Sequence, residues 1–249
     1  MPADLDALFD ADYLACHEAE VDEPTNDAEA TRIAALLRLA PGERVLDVPC
    51  GHGRIARRLA GLGAAVVGID RSEPFLRRAR ADADAAGVRI DYRRQDMHAL
   101  DERGTFDAVV CWFTSFGYDP DDERLRDLLR RMRCALRPGG RLLLETLNLF
   151  SAVPNPDEAL TVQQLQTGEG HIRLTDRSRY DARSGRLYVH RTIERDGRAR
   201  ELEWSLRLFS CPELCGWLDQ AGFAQVDAFD GDGRPFELDS DRLICVARS

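Results

Sequence analysis

Two acidic residues, each at the end of a short apolar stretch, are the foremost candidates in this sequence for binding a ligand. Asp47 ends the stretch 44–47, and Asp70 ends the stretch 65–70. An apolar strand that ends on a carboxylate places it at the carboxyl edge of a parallel sheet, where α/β folds bind ligands. A carboxylate there accepts hydrogen bonds from an ammonium group or from the two hydroxyls of a ribose. The pair therefore indicates a nucleotide-type site.

The turn after Asp47 allows two different cofactors to be considered. Gly51 and Gly53 lack a Cβ, so a ligand could approach the backbone closely. The spacing Gly51-x-Gly53-x-x-Ala56 also matches the dinucleotide fingerprint, which alone is a weak signal. Against NAD, Asp47 rather than a glycine closes the strand, and Pro49 lacks an N–H for a pyrophosphate.

Both carboxylates have a partner in S-adenosylmethionine. Asp47 suits the ammonium of a methionine moiety, and Asp70 suits the ribose hydroxyls. We therefore prefer S-adenosylmethionine to a dinucleotide as the predicted cofactor.

The sequence resembles the class I S-adenosylmethionine-dependent methyltransferases, whose first motif is usually Asp-x-Gly-x-Gly-x-Gly. Residues 47–53 match this motif, with Pro49 at the first glycine position. The likeness extends over nearly the whole chain, including the segments 95–97, 106–110 and 136–140. Two further segments resemble a bacterial subgroup of small stand-alone methyltransferases with varied substrates, 113–118 and 230–236.

The resemblance implies a set of residues that bind S-adenosylmethionine. In the family, Asp96 would accept a hydrogen bond from the adenine amine, and Met97 would lie against the adenine ring. The full set of predicted cofactor-binding residues is Tyr13, Asp47, Pro49, Gly51, Gly53, Asp70, Arg71, Asp96, Met97, Trp112 and Phe113.

The methyl acceptor is expected next to an unusually aromatic segment after the fourth strand. Ligands bind at this edge of a doubly wound sheet. The predicted substrate residues are Phe116, Tyr118, Glu145, Asn148 and His171. Glu145 lies inside an apolar strand, so it should either pair with an arginine or face the active site. No catalytic residue is assigned, although a general base could come from His171, His190, Glu145 or Tyr118.

The order of elements predicts an α/β fold with a Rossmann-like, doubly wound seven-stranded sheet, an antiparallel closing strand and an antiparallel β insertion. Residues 1–40 would form N-terminal helices that close the cofactor site. Residues 41–150 and 210–249 would form the α/β core. Residues 151–209 would form the insertion, as a substrate cap or a dimer contact. Its alternating stretches are 170–174, 186–193 and 201–208.

Local signals also predict where several helices begin. Residues 4–18 read as one amphipathic helix over the cofactor site, and Asn26 or Asp27 would cap the next helix. Ser210 and Glu213 have the spacing of a capping box.

Composition limits the class of protein. The 249 residues suit one large domain with an ample core, because 44% of them are hydrophobic. The formal net charge of −10 argues against a nucleic-acid partner. There is no apolar run long enough to cross a membrane, so we predict no membrane partner and a cytoplasmic location. Seven scattered cysteines indicate neither a disulfide framework nor a zinc site, so no metal is predicted.

The leading functional hypothesis is methyl transfer from S-adenosylmethionine to an oxygen or nitrogen atom of a small molecule such as a secondary metabolite. An RNA or tRNA methyltransferase is an alternative, and net acidity counts against it. A second alternative is a scaffold that binds S-adenosylmethionine without transferring its methyl group. A homodimer is possible.

Overall fold

The computed structural model of the chain describes residues 5–153, 159–168 and 170–249. Within this part the helices are α1 (Leu5–Leu8), α2 (Ala11–Glu20), α3 (Glu23–Leu37), α4 (Arg54–Gly61), α5 (Glu73–Ala85), α6 (Asp122–Ala135), α7 (Leu149–Ala152) and α8 (Cys211–Gln220). A short 3₁₀ turn spans Met97–Ala99. The strands are β1 (Arg44–Asp47), β2 (Ala65–Asp70), β3 (Asp91–Arg94), β4 (Phe106–Cys111), β5 (Leu136–Leu147), β6 (Ala159–Thr167), β7 (Gly170–Asp181), β8 (Arg186–Arg195), β9 (Arg198–Arg207), β10 (Gln225–Phe229) and β11 (Arg242–Arg248).

Seven strands form the central sheet, in the order β10-β11-β5-β4-β1-β2-β3. Five neighbouring strands of this sheet are parallel, namely β5, β4, β1, β2 and β3. β11 runs antiparallel to both of its neighbours, β5 and β10. β4 lies at the centre, and all six of its residues are buried, as its continuous apolar sequence requires. The predicted fold class is confirmed.

Helices cover both faces of this sheet. On one face, α3, α4 and α5 contribute apolar side chains such as Ile33, Leu59 and Leu76. On the other face, α6 and α8 contribute side chains such as Leu128 and Trp217. The strand ends that carry Asp47 and Asp70 are thereby held between two packed layers.

A second sheet of four antiparallel strands has the order β6-β7-β8-β9. The three predicted stretches lie in β7, β8 and β9, but β6 was missed. Its sequence, ALTVQQLQT, is largely polar, because eight of its nine residues are exposed or only half-buried on an edge strand. The sequence also predicts a loop over residues 151–156, but Ser151 and Ala152 belong to α7, and residues 154–156 lie outside the described residues.

The N-terminal segment differs from its prediction. Residues 5–20 form two helices instead of one, because the side chain of Asp10 accepts a hydrogen bond from the Tyr13 N–H and starts α2. Asp22, rather than Asn26 or Asp27, caps α3. One side of α2 packs on the four-stranded sheet, where Cys16 joins Ile172, Leu174 and Ile193 in a small apolar cluster.

The predicted capping box at α8 is also wrong. Ser210 occupies the N-cap position but makes no side-chain hydrogen bond there. The Glu213 carboxylate instead pairs with Arg207 at the end of β9. A charged partner from another element therefore outcompetes the local backbone donor.

No helix among the described residues has both the length and the apolar character needed to cross a bilayer.

Candidate functional site

The turn after β1 brings the two predicted carboxylates into one structure. Gly51 has a φ of +54°, in the left-handed region that glycine adopts easily. Its backbone N–H donates a 2.8 Å hydrogen bond to Oδ2 of Asp70. Oδ1 of Asp70 accepts from the backbone N–H of Ser72, also at 2.8 Å. Burial raises the pKa of Asp70, and these two N–H donors oppose that rise. Asp70 thus fixes the glycine turn against the end of β2.

The two glycines of the turn have different roles. A Cβ on Gly53 would lie 2.2 Å from the Tyr92 hydroxyl and 2.9 Å from Cβ of Ala79. Gly53 is therefore required by packing on β3 and α5, which corrects the prediction that it clears space for a ligand. A Cβ on Gly51 would meet no atom within 4 Å, so free space remains there. Pro49 is half-buried in the same turn, after a cis peptide bond.

Asp47 carries a buried oxygen atom without a partner. The residue is only 2% exposed, and its Oδ2 has no hydrogen-bond partner among the described residues. The Ala56 N–H donates to its carboxylate. Burial raises the pKa of Asp47 to about 7, and the nearby Arg54 opposes that rise. An unpartnered buried acceptor is costly unless a ligand supplies a donor, as an ammonium group would. The site therefore fits the amino-acid end of S-adenosylmethionine.

The predicted adenine-binding residues lie at the same edge of the sheet, after β2 and β3. Asp96 is exposed, and its Oδ1 accepts from the backbone N–H of His98 at 2.9 Å. Met97 is half-buried and packs against the core. Arg71 is exposed directly after Asp70. The contacts of Asp96 and Met97 with an adenine, and of Arg71 with the cofactor, stay predictions.

An aromatic cluster that includes the predicted Tyr13 lies between the N-terminal helices and the sheet edge. The ring centroid of Tyr13 lies 5.0 Å from that of Phe9 and 6.1 Å from that of Phe75 at the start of α5. Tyr118 is 5.3 Å from Phe9. Burial raises the pKa of Tyr13 to about 12 and that of Tyr118 as well. Both phenols are therefore neutral, and neither serves as a base in this state.

Two histidines that the sequence analysis missed belong to the same cluster. The His17 ring on α2 lies 5.2 Å from the His52 ring and 4.8 Å from the Phe113 ring, measured between centroids. Burial is the main reason why the pKa of His17 falls to about 4 and that of His52 to about 3. Both rings are therefore neutral at pH 7. For His17, the signal available in the sequence was the four-residue spacing of Phe9, Tyr13 and His17.

The segment after β4 has a strained backbone next to this cluster. Phe113 and Thr114 have φ angles of +60° and +56°. Such angles are unfavourable for residues with a side chain and occur often at functional sites. The Trp112 indole N–H donates to Oε2 of Glu29 at 3.0 Å. The Thr114 backbone N–H donates to Oε2 of Glu145 at 2.8 Å, which holds the strained conformation.

Glu145 pairs with an arginine, which confirms the first of its two predicted alternatives. It is 2% exposed, and its Oε1 accepts from Nη1 of Arg242 at 2.9 Å. Burial raises the pKa of this carboxyl, and Arg242 opposes that rise. Glu145 also lines a cavity at the carboxyl ends of β4 and β5.

This cavity has a volume of about 1010 Å³. Its apolar wall includes Trp112 and Phe113, which belong to the predicted cofactor-binding set. Its charged lining residues are Glu29, Arg32, Glu145, Asp230, Asp232, Arg234, Glu237, Asp239, Asp241 and Arg242.

Four of the five predicted substrate residues do not line this cavity, so Glu145 alone of that set does, and the substrate roles of the other four stay predictions. Phe116 is fully buried in the core, 5.5 Å from the Phe209 ring. The Asn148 amide donates to two backbone carbonyls of the β10–β11 loop, so it holds that loop in place. His171 is exposed on the face of the four-stranded sheet that points away from α2, because strand side chains alternate. Tyr118 lies under Phe9 and is also absent from the cavity lining.

Comparisons with known proteins agree with this geometry. Residues 45–140 match the sequence model of the methyltransferase domain family. A ubiquinone biosynthesis O-methyltransferase of Xanthomonas axonopodis pv. citri is 40% identical over 114 residues, which are 45% of this chain and 46% of that protein. The match thus spans about half the length of the curated relative.

Two solved structures share the fold over nearly their whole length. An S-adenosylmethionine-dependent methyltransferase from Clostridium acetobutylicum has a TM-score of 0.76 at 15% identity, covering 97% of this chain and 98% of that one. CalS10, an amino pentose methyltransferase from Micromonospora echinaspora involved in calicheamicin biosynthesis, has a TM-score of 0.70 at 24% identity, covering 96% and 98%.

Fold and sequence together define the class. Residues 45–140 match a methyltransferase domain, and the chain as a whole has the fold of solved S-adenosylmethionine-dependent methyltransferases. These findings agree with the predicted family, and the activity and cofactor of the whole chain are taken up as a proposal below.

Proposed function

We propose that the protein transfers a methyl group from S-adenosylmethionine to an oxygen or nitrogen atom of a small molecule. The observation that carries this proposal is the position of the 1010 Å³ cavity, which shares Trp112 and Phe113 with the predicted cofactor site. A methyl acceptor in this cavity would meet the cofactor at the carboxyl ends of β1 and β4. The cofactor supplies an electrophilic methyl group on a sulfonium, and the chain supplies alignment and shielding from water.

The cofactor would be held by the residues around the glycine turn. We propose that Asp47 binds the amino-acid end, that Asp70 binds the ribose and that the Asp96–Met97 segment binds the adenine. Gly51 supports this proposal because its N–H binds Asp70 and a Cβ there would meet no atom within 4 Å, which leaves free space at the turn. Tyr13 and Phe113 would close the site from α2 and from the end of β4.

Charge in the cavity favours a neutral or cationic acceptor over a polyanion. Seven carboxylates and three arginines line it. Each arginine already has an acidic partner, since Arg32 and Arg234 pair with Asp232, and Arg242 pairs with Glu145. Little free positive charge is left to bind a phosphate chain, which argues against an RNA substrate.

The names of similar proteins support a small acceptor with a nitrogen or oxygen nucleophile. The Xanthomonas relative is named an O-methyltransferase of ubiquinone biosynthesis, and CalS10 is named an amino pentose methyltransferase. A neutral amine attacks through its free lone pair and can release its proton to water after the transfer, so alignment alone can serve it, whereas a hydroxyl acceptor must pass its proton to a base or to water.

The proposal is tested by turnover. Purified protein is incubated with S-adenosylmethionine and a panel of amines and phenols, and S-adenosylhomocysteine is quantified against an acceptor-free reaction. Acceptor-dependent product is expected, and it should decrease when the cavity is narrowed by Ala28→Trp. Binding of the cofactor without turnover on any acceptor would instead support the scaffold alternative.

A further inference from the structure

Two buried polar atoms of opposite hydrogen-bonding character lie beside the Phe113 ring. Nη2 of Arg54 and Nε2 of His17 have no partner among the described residues. Arg54 is 7% exposed, and His17 is 5% exposed. The Arg54 guanidinium carbon lies 4.7 Å from the centre of the Phe113 ring, and the His17 ring lies 4.8 Å from it. The Phe113 ring thus lies close to both the Arg54 side chain, which has an unused donor, and the His17 side chain, which has an unused acceptor.

Hydrogen bonds from Nη1 fix the Arg54 guanidinium in one orientation, so its unpartnered Nη2 has a defined position. It is the first residue of α4 and follows the glycine turn directly. Its Nη1 donates to Oδ1 of Asn26 at 2.8 Å and also to Glu29. Leaving a charged donor unsatisfied in a buried site is costly. Nη2 is therefore placed to donate to an anionic group that arrives with a ligand.

His17 supplies the complementary acceptor. Its ring hydrogen-bonds to its own backbone, and since Nε2 has no partner, that bond assigns the proton to Nδ1. The pKa of about 4 keeps the ring neutral, because burial and the nearby Arg54 both disfavour a second proton. Nε2 therefore presents a lone pair, which accepts from a donor such as an ammonium group and repels a carboxylate.

We infer that Arg54 and His17 together bind the zwitterionic end of the cofactor, with Arg54 holding the α-carboxylate and His17 accepting from the α-ammonium. This inference rests on the proposed function. An ammonium group has three N–H donors, so His17 adds to the contact proposed for Asp47 and does not replace it. A ligand with only one of the two charges would leave one of the buried atoms unsatisfied.

The first test compares ligands on the unaltered protein by calorimetric titration. S-adenosylhomocysteine carries both charges, its decarboxylated analogue keeps only the ammonium, and 5′-methylthioadenosine lacks the whole amino-acid end. We expect the decarboxylated analogue to bind about 10- to 100-fold more weakly than S-adenosylhomocysteine, as one charge-assisted hydrogen bond implies. Equal affinities of these two ligands would overturn the role of Arg54.

The second test uses variants with the same ligands. Arg54→Met should weaken S-adenosylhomocysteine about 10- to 100-fold, yet change 5′-methylthioadenosine less than about twofold. Arg57→Met is the matched control on the same helix, because Arg57 pairs with Glu23 and not with the Asn26 and Glu29 side chains that hold Arg54. It should alter neither ligand. Arg54→Lys retains the charge and guards against loss of folding, and it should give an intermediate result.

His17 is tested by replacement and rescue. His17→Phe keeps the ring but removes the acceptor, so it should weaken S-adenosylhomocysteine about 5- to 15-fold and leave 5′-methylthioadenosine unchanged. His17→Gln restores an acceptor oxygen and should recover most of the affinity. Equal losses for both ligands would mean a structural role and would overturn the inference. Absence of binding of any adenosyl ligand to the unaltered protein would instead refute the proposed function itself.

Discussion

At the scale of single residues, Asp47 combines a stability cost with a proposed binding role. Its pKa is 3.8 in the unfolded reference and about 7 in the folded chain, because burial disfavours the charged form. The folded state therefore holds the proton more tightly than the unfolded state. The free energy of unfolding contributed by Asp47 is highest below about pH 4 and falls as the pH rises toward 7, by about 1.4 kcal/mol per pH unit at most.

Asp47→Asn removes this cost and should stabilise the ligand-free protein. We expect a larger rise of Tm at pH 8 than at pH 5, measured by thermal unfolding. The same variant should bind S-adenosylhomocysteine more weakly, because its side chain no longer attracts an ammonium group. A gain of Tm that is equal at both pH values would contradict the assigned pKa.

The Glu145–Arg242 pair makes a second prediction at this scale. Arg242→Met would leave the buried Glu145 carboxylate without its cation, which should lower the free energy of unfolding by about 3 kcal/mol. Adding Glu145→Gln removes the stranded charge, so the double variant should recover part of this loss. Denaturant titration of the three proteins tests the coupling, and additive losses would show that the pair is not coupled.

Some site residues were predictable from the sequence because their signal is local. Asp47 and Asp70 each end an apolar run, and that pattern alone placed them at the sheet edge. The positions of His17 and Arg54 depend on how α2 and α4 pack around Phe113, which no local pattern reports. Gly53 shows the same limit, since its need for a missing Cβ comes from Tyr92 on β3.

At the scale of elements, α2 connects the two sheets. One side packs on the four-stranded sheet through Cys16, and the His17 ring on the same helix lies against Phe113 at the end of β4. Ion pairs reinforce the first contact, including Asp12 with Arg195 at 2.9 Å. The position of the His17 ring therefore depends on the insertion.

Leu174→Ala tests this dependence. The side chain is 2% exposed within the cluster under α2, so its truncation should cost about 2–5 kcal/mol locally. We expect faster amide hydrogen exchange in α2 and weaker S-adenosylhomocysteine binding. Leu160→Ala is the control, because Leu160 is 62% exposed on the edge strand β6. Unchanged exchange in α2 would show that the insertion does not support it.

The elements that the sequence missed were those decided by distant partners. β6 has few apolar residues, and it is a strand because β7 pairs with it along its whole length. The capping box at α8 failed because Arg207 from β9 attracts Glu213. The long apolar strands of the core were predictable, because a continuous run of apolar residues is enough to predict a buried strand.

At the scale of the whole molecule, the net charge of −10 and the acidic cavity predict weak interaction with nucleic acids. In a filter-binding assay at about 50 mM salt, we expect no retention of tRNA at micromolar protein. A basic RNA-binding protein serves as the positive control. Tight, salt-sensitive tRNA binding would instead favour the RNA methyltransferase alternative.

The whole architecture followed from the alternation of strands and helices together with the methyltransferase resemblance. The division into segments 1–40, 41–150, 151–209 and 210–249, a cytoplasmic location and a possible homodimer stay predictions. The extent of the cavity was not predictable, because its walls come from α3, the end of β4 and the β10–β11 loop.

The most direct test of the central claim is calorimetric titration of the protein with S-adenosylhomocysteine and with NAD. We predict micromolar binding of S-adenosylhomocysteine only, and at least about a tenfold loss in Asp70→Asn, which keeps the shape of the side chain but removes its charge. Asp84→Asn, on the exposed face of α5, should bind like the unaltered protein. Binding of NAD alone, or undiminished S-adenosylhomocysteine binding in Asp70→Asn, would contradict the assignment of this edge of the sheet as an S-adenosylmethionine site.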